Sequence, residues 1–151
     1  TTTGERLVGM SADLQAARVI EAPAGQVWGV LTDWERQSEW MPATRVRSFH
    51  GHAPGGRIEA WTGLGRLGFL DTMEITVWDP PRRCDVIHTG RVLRGSGSFA
   101  VEPLGAGRCR VVWEERVELP LGRLGRACWP LVRPLVRAGL GFGLRRLARV
   151  V

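Results

Sequence analysis

The chain has 151 residues, 44% of them hydrophobic, and a formal net charge of +6. That size predicts one domain over residues 1–151, large enough to bury most of its apolar surface in a single core. The opening Thr-Thr-Thr-Gly-Glu-Arg has no apolar signal core, and the tail's longest uncharged apolar run, Ala138 to Leu144, is far short of the ~20 residues that span a bilayer, which predicts a soluble, cytoplasmic protein. Three cysteines (Cys84, Cys109, Cys128) without CxxC spacing argue against a disulfide framework or a zinc knuckle and read as reduced core residues.

In chain order, Leu14 to Ala22 alternates as a first strand that Pro23 stops. Ala24 to Thr32 then spaces Val27, Val30 and Leu31 as a short helix. Thr32-Asp33-Trp34-Glu35 has the form of a capping box opening a second one, which ends at Trp40-Met41-Pro42. Turn signals at Ala53-Pro54-Gly55-Gly56, at the glycines 63, 65 and 68, at Asp79-Pro80-Pro81, at Gly90 and at Gly105-Ala106-Gly107 mark out six strands. They run Thr44 to Phe49, Arg57 to Thr62, Phe69 to Trp78, Cys84 to Thr89, Gly95 to Val101 and Cys109 to Leu119, and their short connections make an antiparallel meander.

The pattern and the charge both break at Pro120. Residues 121–151 carry seven arginines and no acid, whereas residues 1–120 carry 14 arginines against 15 acids. At 100° per residue Arg126, Arg133 and Arg137 share a stripe, opposite Cys128, Leu131, Leu135, Gly139 and Phe142, so the tail reads as a long amphipathic helix with an apolar face to bury. Pro130 and Pro134 place its start near Pro130 or a kink there. The glycines at 139, 141 and 143 weaken its middle by ~1 kcal/mol each relative to alanine, which suggests that something passes close by.

The order of one strand, two short helices, six strands and a long helix resembles the helix-grip fold of the START-like superfamily, which includes polyketide cyclase/dehydrase and lipid-transport proteins. The residues that carry the resemblance are Ile20-Glu21-Ala22-Pro23-Ala24 with Val27-Trp28, Leu31-Thr32-Asp33-Trp34, Glu39-Trp40-Met41-Pro42, Trp78-Asp79-Pro80-Pro81-Arg82-Arg83 and the arginine-rich Pro130 to Arg137 segment. It implies an α+β domain: a curved antiparallel sheet of about seven strands wrapped around the last helix, with a cavity between them. It makes Trp28, Trp34 and Trp40 packing residues beneath the short helices. Function varies widely within such a fold.

Strand alternation indicates what the cavity would contain. Phe69, Asp71, Met73, Ile75 and Val77 share one phase. Cys84, Val86 and His88 share another, as do Cys109, Val111, Trp113, Glu115 and Val117. Three ionisable groups, Asp71, His88 and Glu115, thus fall on inner faces, where an unpaired charge is expensive. One reading has them orient or protonate a ligand, which makes them the candidate catalytic residues of a cyclase or dehydratase. The default reading leaves Asp71 and Glu115 at strand ends open to water and His88 hydrogen-bonded in the core. Trp61 has no assigned face, because Ile58, Ala60 and Thr62 compete with it.

Several patterns carry no function. Gly63-Leu-Gly65-Arg-Leu-Gly68 matches a dinucleotide fingerprint, but a strand follows it where a helix would be needed. His50-Gly51-His52 has no third ligand in reach, so no metal and no cofactor are expected. The arginines lack interleaved aromatics, so they read as a solvated helix face and not a nucleic-acid surface. The expected function is binding or transport of a hydrophobic or amphipathic small molecule by Met73, Ile75, His88, Phe99 and Trp113 of the sheet and Leu131, Leu135, Gly139 and Phe142 of the helix. An enzyme of the polyketide cyclase or dehydrase type using the same cavity is the alternative. A membrane-surface adaptor working through the arginine stripe is a further one and is not favoured. The ligand's identity and the oligomeric state are not readable.

Overall fold

In a computed structural model, residues 11–119 and 121–151 are described. They form β1 (Ser11–Ile20), α1 (Ala24–Leu31), a 3-10 helix (Trp34–Glu39), β2 (Thr44–Phe49), β3 (Arg57–Leu64), β4 (Leu67–Asp79), β5 (Arg83–Thr89), β6 (Arg94–Gly105), β7 (Arg108–Glu118) and α2 (Gly122–Val150). The expected elements are present in the expected order. The opening residues, from which the missing signal core was read, and Pro120, where the pattern breaks, lie outside the described residues.

The seven strands make one antiparallel sheet in the order β1-β7-β6-β5-β4-β3-β2. Hairpins join neighbours from β2 to β7, and the two short helices carry the chain from β1, on one edge, to β2 on the other. The supposed dinucleotide fingerprint is the β3–β4 hairpin, with Gly65 at φ +61° in its turn and Gly63 facing Gly68 across the pair. The curved sheet with α2 against it is the α+β helix-grip arrangement.

The core is built where the short helices and the end of α2 meet the sheet. Val27, Leu31, Trp40, Ile58, Ile75, Val101, Val111, Leu144 and Leu147 are each almost wholly buried. Trp28, Trp34 and Trp78 pack with ring centroids 5.3 to 6.3 Å apart, and Trp40 meets Phe99 and Trp113 edge-on at 6.1 and 6.0 Å. Arg146 at the end of α2 donates to the carbonyl of Glu39 at 2.8 Å and ties the helix to the connection above.

The structure corrects four local expectations. The capping box does not form: Thr32 turns its hydroxyl back to the carbonyl of Trp28 at 2.8 Å, and the 3-10 helix is capped by Asp33 without a side-chain bond. Helix α2 begins at Gly122 and runs through Pro130 and Pro134. Both prolines are exposed, so the carbonyls that lose an amide partner are open to water. The register shifts between Ile75 and Val77, so Val77 leaves the inner face and is 39% exposed. Cys128 is exposed, whereas Cys84 and Cys109 are buried.

Helix α2 has two unequal parts. Residues 140–147 bury Leu140, Gly143, Leu144 and Leu147, while most of residues 122–138 is exposed, Leu131 and Leu135 at 78% and 74%. Leu147→Ala should therefore lower unfolding free energy by about 2–5 kcal/mol, and Leu131→Ala should change it by under about 0.5 kcal/mol, as read by urea denaturation.

Candidate functional site

Between the sheet and the outer part of α2 lies an open cavity of about 690 Å3. Its sheet wall is the inner phase of the strands: Ile58, Ala60 and Thr62 of β3, Phe69, Asp71 and Met73 of β4, Cys84, Val86 and His88 of β5, Phe99 of β6, and Trp113, Glu115 and Val117 of β7. Trp61 is on the other side of β3, against Gly68. The helix wall is Gly125, Cys128, Trp129, Val132, Val136, Gly139 and Leu140.

Of the expected ligand contacts, Met73, His88, Phe99, Trp113 and Gly139 line this cavity. Ile75, Leu131, Leu135 and Phe142 do not. Ile75 is sealed in the core at 1% exposure, and the other three point to solvent. The helix is turned by about a quarter of a revolution from the face that its large apolar residues mark out. The inward face is the one with small residues: at Gly139 an added Cβ would meet no heavy atom within 4 Å, and at Gly143 it would touch Trp113 at 3.5 Å. Trp129, Val132 and Val136 were missed, and the glycines were the signal that could have placed them.

Three ionisable side chains of the cavity wall, Asp71, His88 and Glu115, form a single cluster. His88 Nδ1 lies 2.9 and 3.1 Å from the two carboxylate oxygens of Asp71, and its Nε2 lies 2.9 Å from Glu115 Oε2. The second oxygen, Glu115 Oε1, accepts the indole N–H of Trp113 at 2.9 Å. The His88 and Glu115 side chains are 3% and 17% exposed, and Asp71 is buried as well. The carboxylates are thus not at open strand ends, and His88 combines both sequence readings: it is hydrogen-bonded and it lines the cavity. Strand β6 runs between His88 and Glu115, and they meet across it because it has Gly95 opposite His88 and Gly97 opposite Glu115. A Cβ on Gly97 would stand 2.8 Å from the Glu115 carboxylate.

Facing a carboxylate with each nitrogen, the ring is an imidazolium donating twice. Burial alone would lower its pKa, but the hydrogen bonds and charges of Asp71 and Glu115 outweigh burial and raise it to about 9. Burial pushes the Cys84 thiol up to about 12, so it stays protonated and inert. Elsewhere, His52 spends Nε2 on the carbonyl of Thr32 at 3.0 Å and stacks on Trp34. Among the described residues no group of three His, Cys, Asp or Glu side chains is placed to hold a metal ion. No helix of the described residues is long and apolar enough to cross a membrane.

The sequence from residue 11 to residue 151 matches the family model for polyketide cyclase/dehydrase and lipid transport. The chain belongs to this family. Among solved structures it is similar to the Zhui aromatase/cyclase from Streptomyces sp. R1128, with 17% identity, a TM-score of 0.75 and 92% of each chain covered. A protein from Thermus thermophilus is 21% identical over 91% of this chain and 95% of its own, with a TM-score of 0.74. A START superfamily protein from Mycobacterium smegmatis is 14% identical over 91% and 92%, with a TM-score of 0.64. At these identities the likeness is one of fold. No protein with a curated description matches the chain.

The raised pKa of His88 links the site to stability. A group that binds its proton more tightly when folded stabilises fully below its unfolded pKa of 6.5 and loses that contribution as pH rises through its folded value of about 9. Unfolding free energy should fall by about 1.4 kcal/mol per pH unit across this window from the one proton. Urea melts between pH 6 and pH 10 should show that slope in the native chain and lose it in His88→Gln.

Proposed function

We propose that this protein binds a hydrophobic or amphipathic small molecule in the cavity between the sheet and α2. The supporting observation is the cavity: about 690 Å3, within the roughly 300–1,000 Å3 typical of small-molecule sites, walled mainly by aliphatic and aromatic side chains with one polar cluster. The family description, which joins lipid transport with cyclase chemistry, fits that reading. We also take residues 1–151 as one ligand-binding domain.

The aromatase/cyclase among the fold neighbours raises the enzymatic alternative for the same cavity. The cluster favours binding over acid–base catalysis. A general acid or base needs a lone pair or proton aimed at the substrate and a pKa near the working pH, whereas both nitrogens of His88 are taken by carboxylates and its pKa is about 9. The adaptor alternative is weaker still, because the groove that Arg133 and Arg137 border holds Asp13, Asp85, Glu114 and Glu115 beside Arg83 and Arg116, and is thus of mixed charge.

Gly139 gives a direct test. Gly139→Leu fills space beside the helix and improves helix propensity by up to ~1 kcal/mol, so it should hold or raise Tm while weakening binding of a fluorescent fatty alcohol. A variant that melts clearly lower, with unchanged binding in its folded fraction, would overturn the cavity as the binding site. Native mass spectrometry of protein purified without detergent should show a retained apolar ligand.

A further inference from the structure

The hydrogen bonding of the polar cluster restricts the ligand's head group, an inference that rests on the binding reading above. His88 offers two N–H groups, and both go to carboxylates. The indole N–H of Trp113 goes to Glu115. Among the other polar side chains in the lining, Ser98 and Trp129 carry donors with no partner among the described residues and Glu118 adds a carboxylate, while Gln37 donates to the carbonyl of Leu31 at 3.2 Å. Thr44 donates to the carbonyl of Pro42 at 3.0 Å, which leaves Thr62 to donate to Thr44 at 3.2 Å. The indole N–H of Trp34 is spent on the carbonyl of Gly51.

What remains at the cluster is acceptor capacity. A carboxylate has about four lone-pair sites, and among the described residues Asp71 and Glu115 meet no donors except His88 and Trp113. The electrostatics point the same way, since one imidazolium between two carboxylates leaves one negative charge. In an apolar cavity a second anion beside that charge is strongly disfavoured. We infer that the cavity takes an amphiphile whose head group donates hydrogen bonds, an alcohol or a protonated amine, and discriminates against one that ends in a carboxylate. The unused lone pairs of Glu115 and Asp71 are its receptors, and the aliphatic and aromatic walls hold its chain.

The experiment titrates the full chain at pH 7 with four probes of one chain length: dodecylamine, 1-dodecanol, dodecanoate and dodecyltrimethylammonium, which carries the charge without a donor. Binding is read by calorimetry. Dodecylamine and 1-dodecanol should bind at least about tenfold more tightly than dodecanoate, and dodecylamine more tightly than its trimethylated analogue. Glu115→Gln, or Asp71→Asn should the first variant not fold, should narrow the gap between dodecylamine and dodecanoate by about tenfold. Dodecanoate binding as tightly as dodecylamine would overturn the head-group inference and leave the binding reading intact. Equal affinity for dodecylamine and its trimethylated analogue would overturn the need for a donor. If 1-dodecanol and the other three all fail to bind, the binding reading falls together with the inference.

Discussion

The close approach of α2 at Gly143 to Trp113 of the sheet and to Trp40 at the end of the 3-10 helix is the constraint on which the rest of the structure depends. A helix lying flat on a sheet along its whole length would leave no cavity, and one held away throughout would have no core. Here the buried residues of the helix are concentrated at one end. Leu140, Leu144 and Leu147 are buried around the glycine, and Arg146 fixes that end to the carbonyl of Glu39. The remaining turns extend over the open sheet and enclose space between two walls. Burying three leucines supplies several kcal/mol, enough to hold the helix while most of its length is exposed.

The polar cluster depends on similarly local features. An imidazolium and two carboxylates in an apolar wall are tolerable only if each carboxylate is hydrogen-bonded to the imidazolium that they share. This sharing requires a reach across β6, which a side chain at position 97 would block. Removing Asp71 or Glu115 would leave one N–H of the imidazolium without its acceptor, whereas the intact set is held rigid by four hydrogen bonds.

The sheet was legible in the sequence because each strand keeps one face on the apolar interior and the other in water, so alternation reveals the phase. Met73, His88, Trp113 and Glu115 were placed that way. Val77 was misplaced because a bulge inverts phase without any mark in the pattern. The pairing of His88 with both carboxylates was also hidden. Alternation gives a face, but partners follow from register, and Glu115 is two strands away from His88. Gly95-Ser-Gly97 within a strand was the available sign of close approach. The orientation of α2 was misread for another reason: periodicity rewards the stripe with the largest apolar residues, and here Leu131, Leu135 and Phe142 face water while the cavity is bordered by glycine, valine and tryptophan.

The division of α2 also bears on how such a chain can change. Substitutions at 125, 129, 132, 136 and 139 reshape the helix wall of the cavity with few core contacts at stake, whereas those at 140, 144 and 147 act on stability. Recognition and foldedness are thus weighted toward different stretches of a single helix, with Leu140 in both. A lineage can explore new ligands by varying the outer turns while the inner ones stay under purifying selection, so divergence in specificity need not pass through poorly folded intermediates.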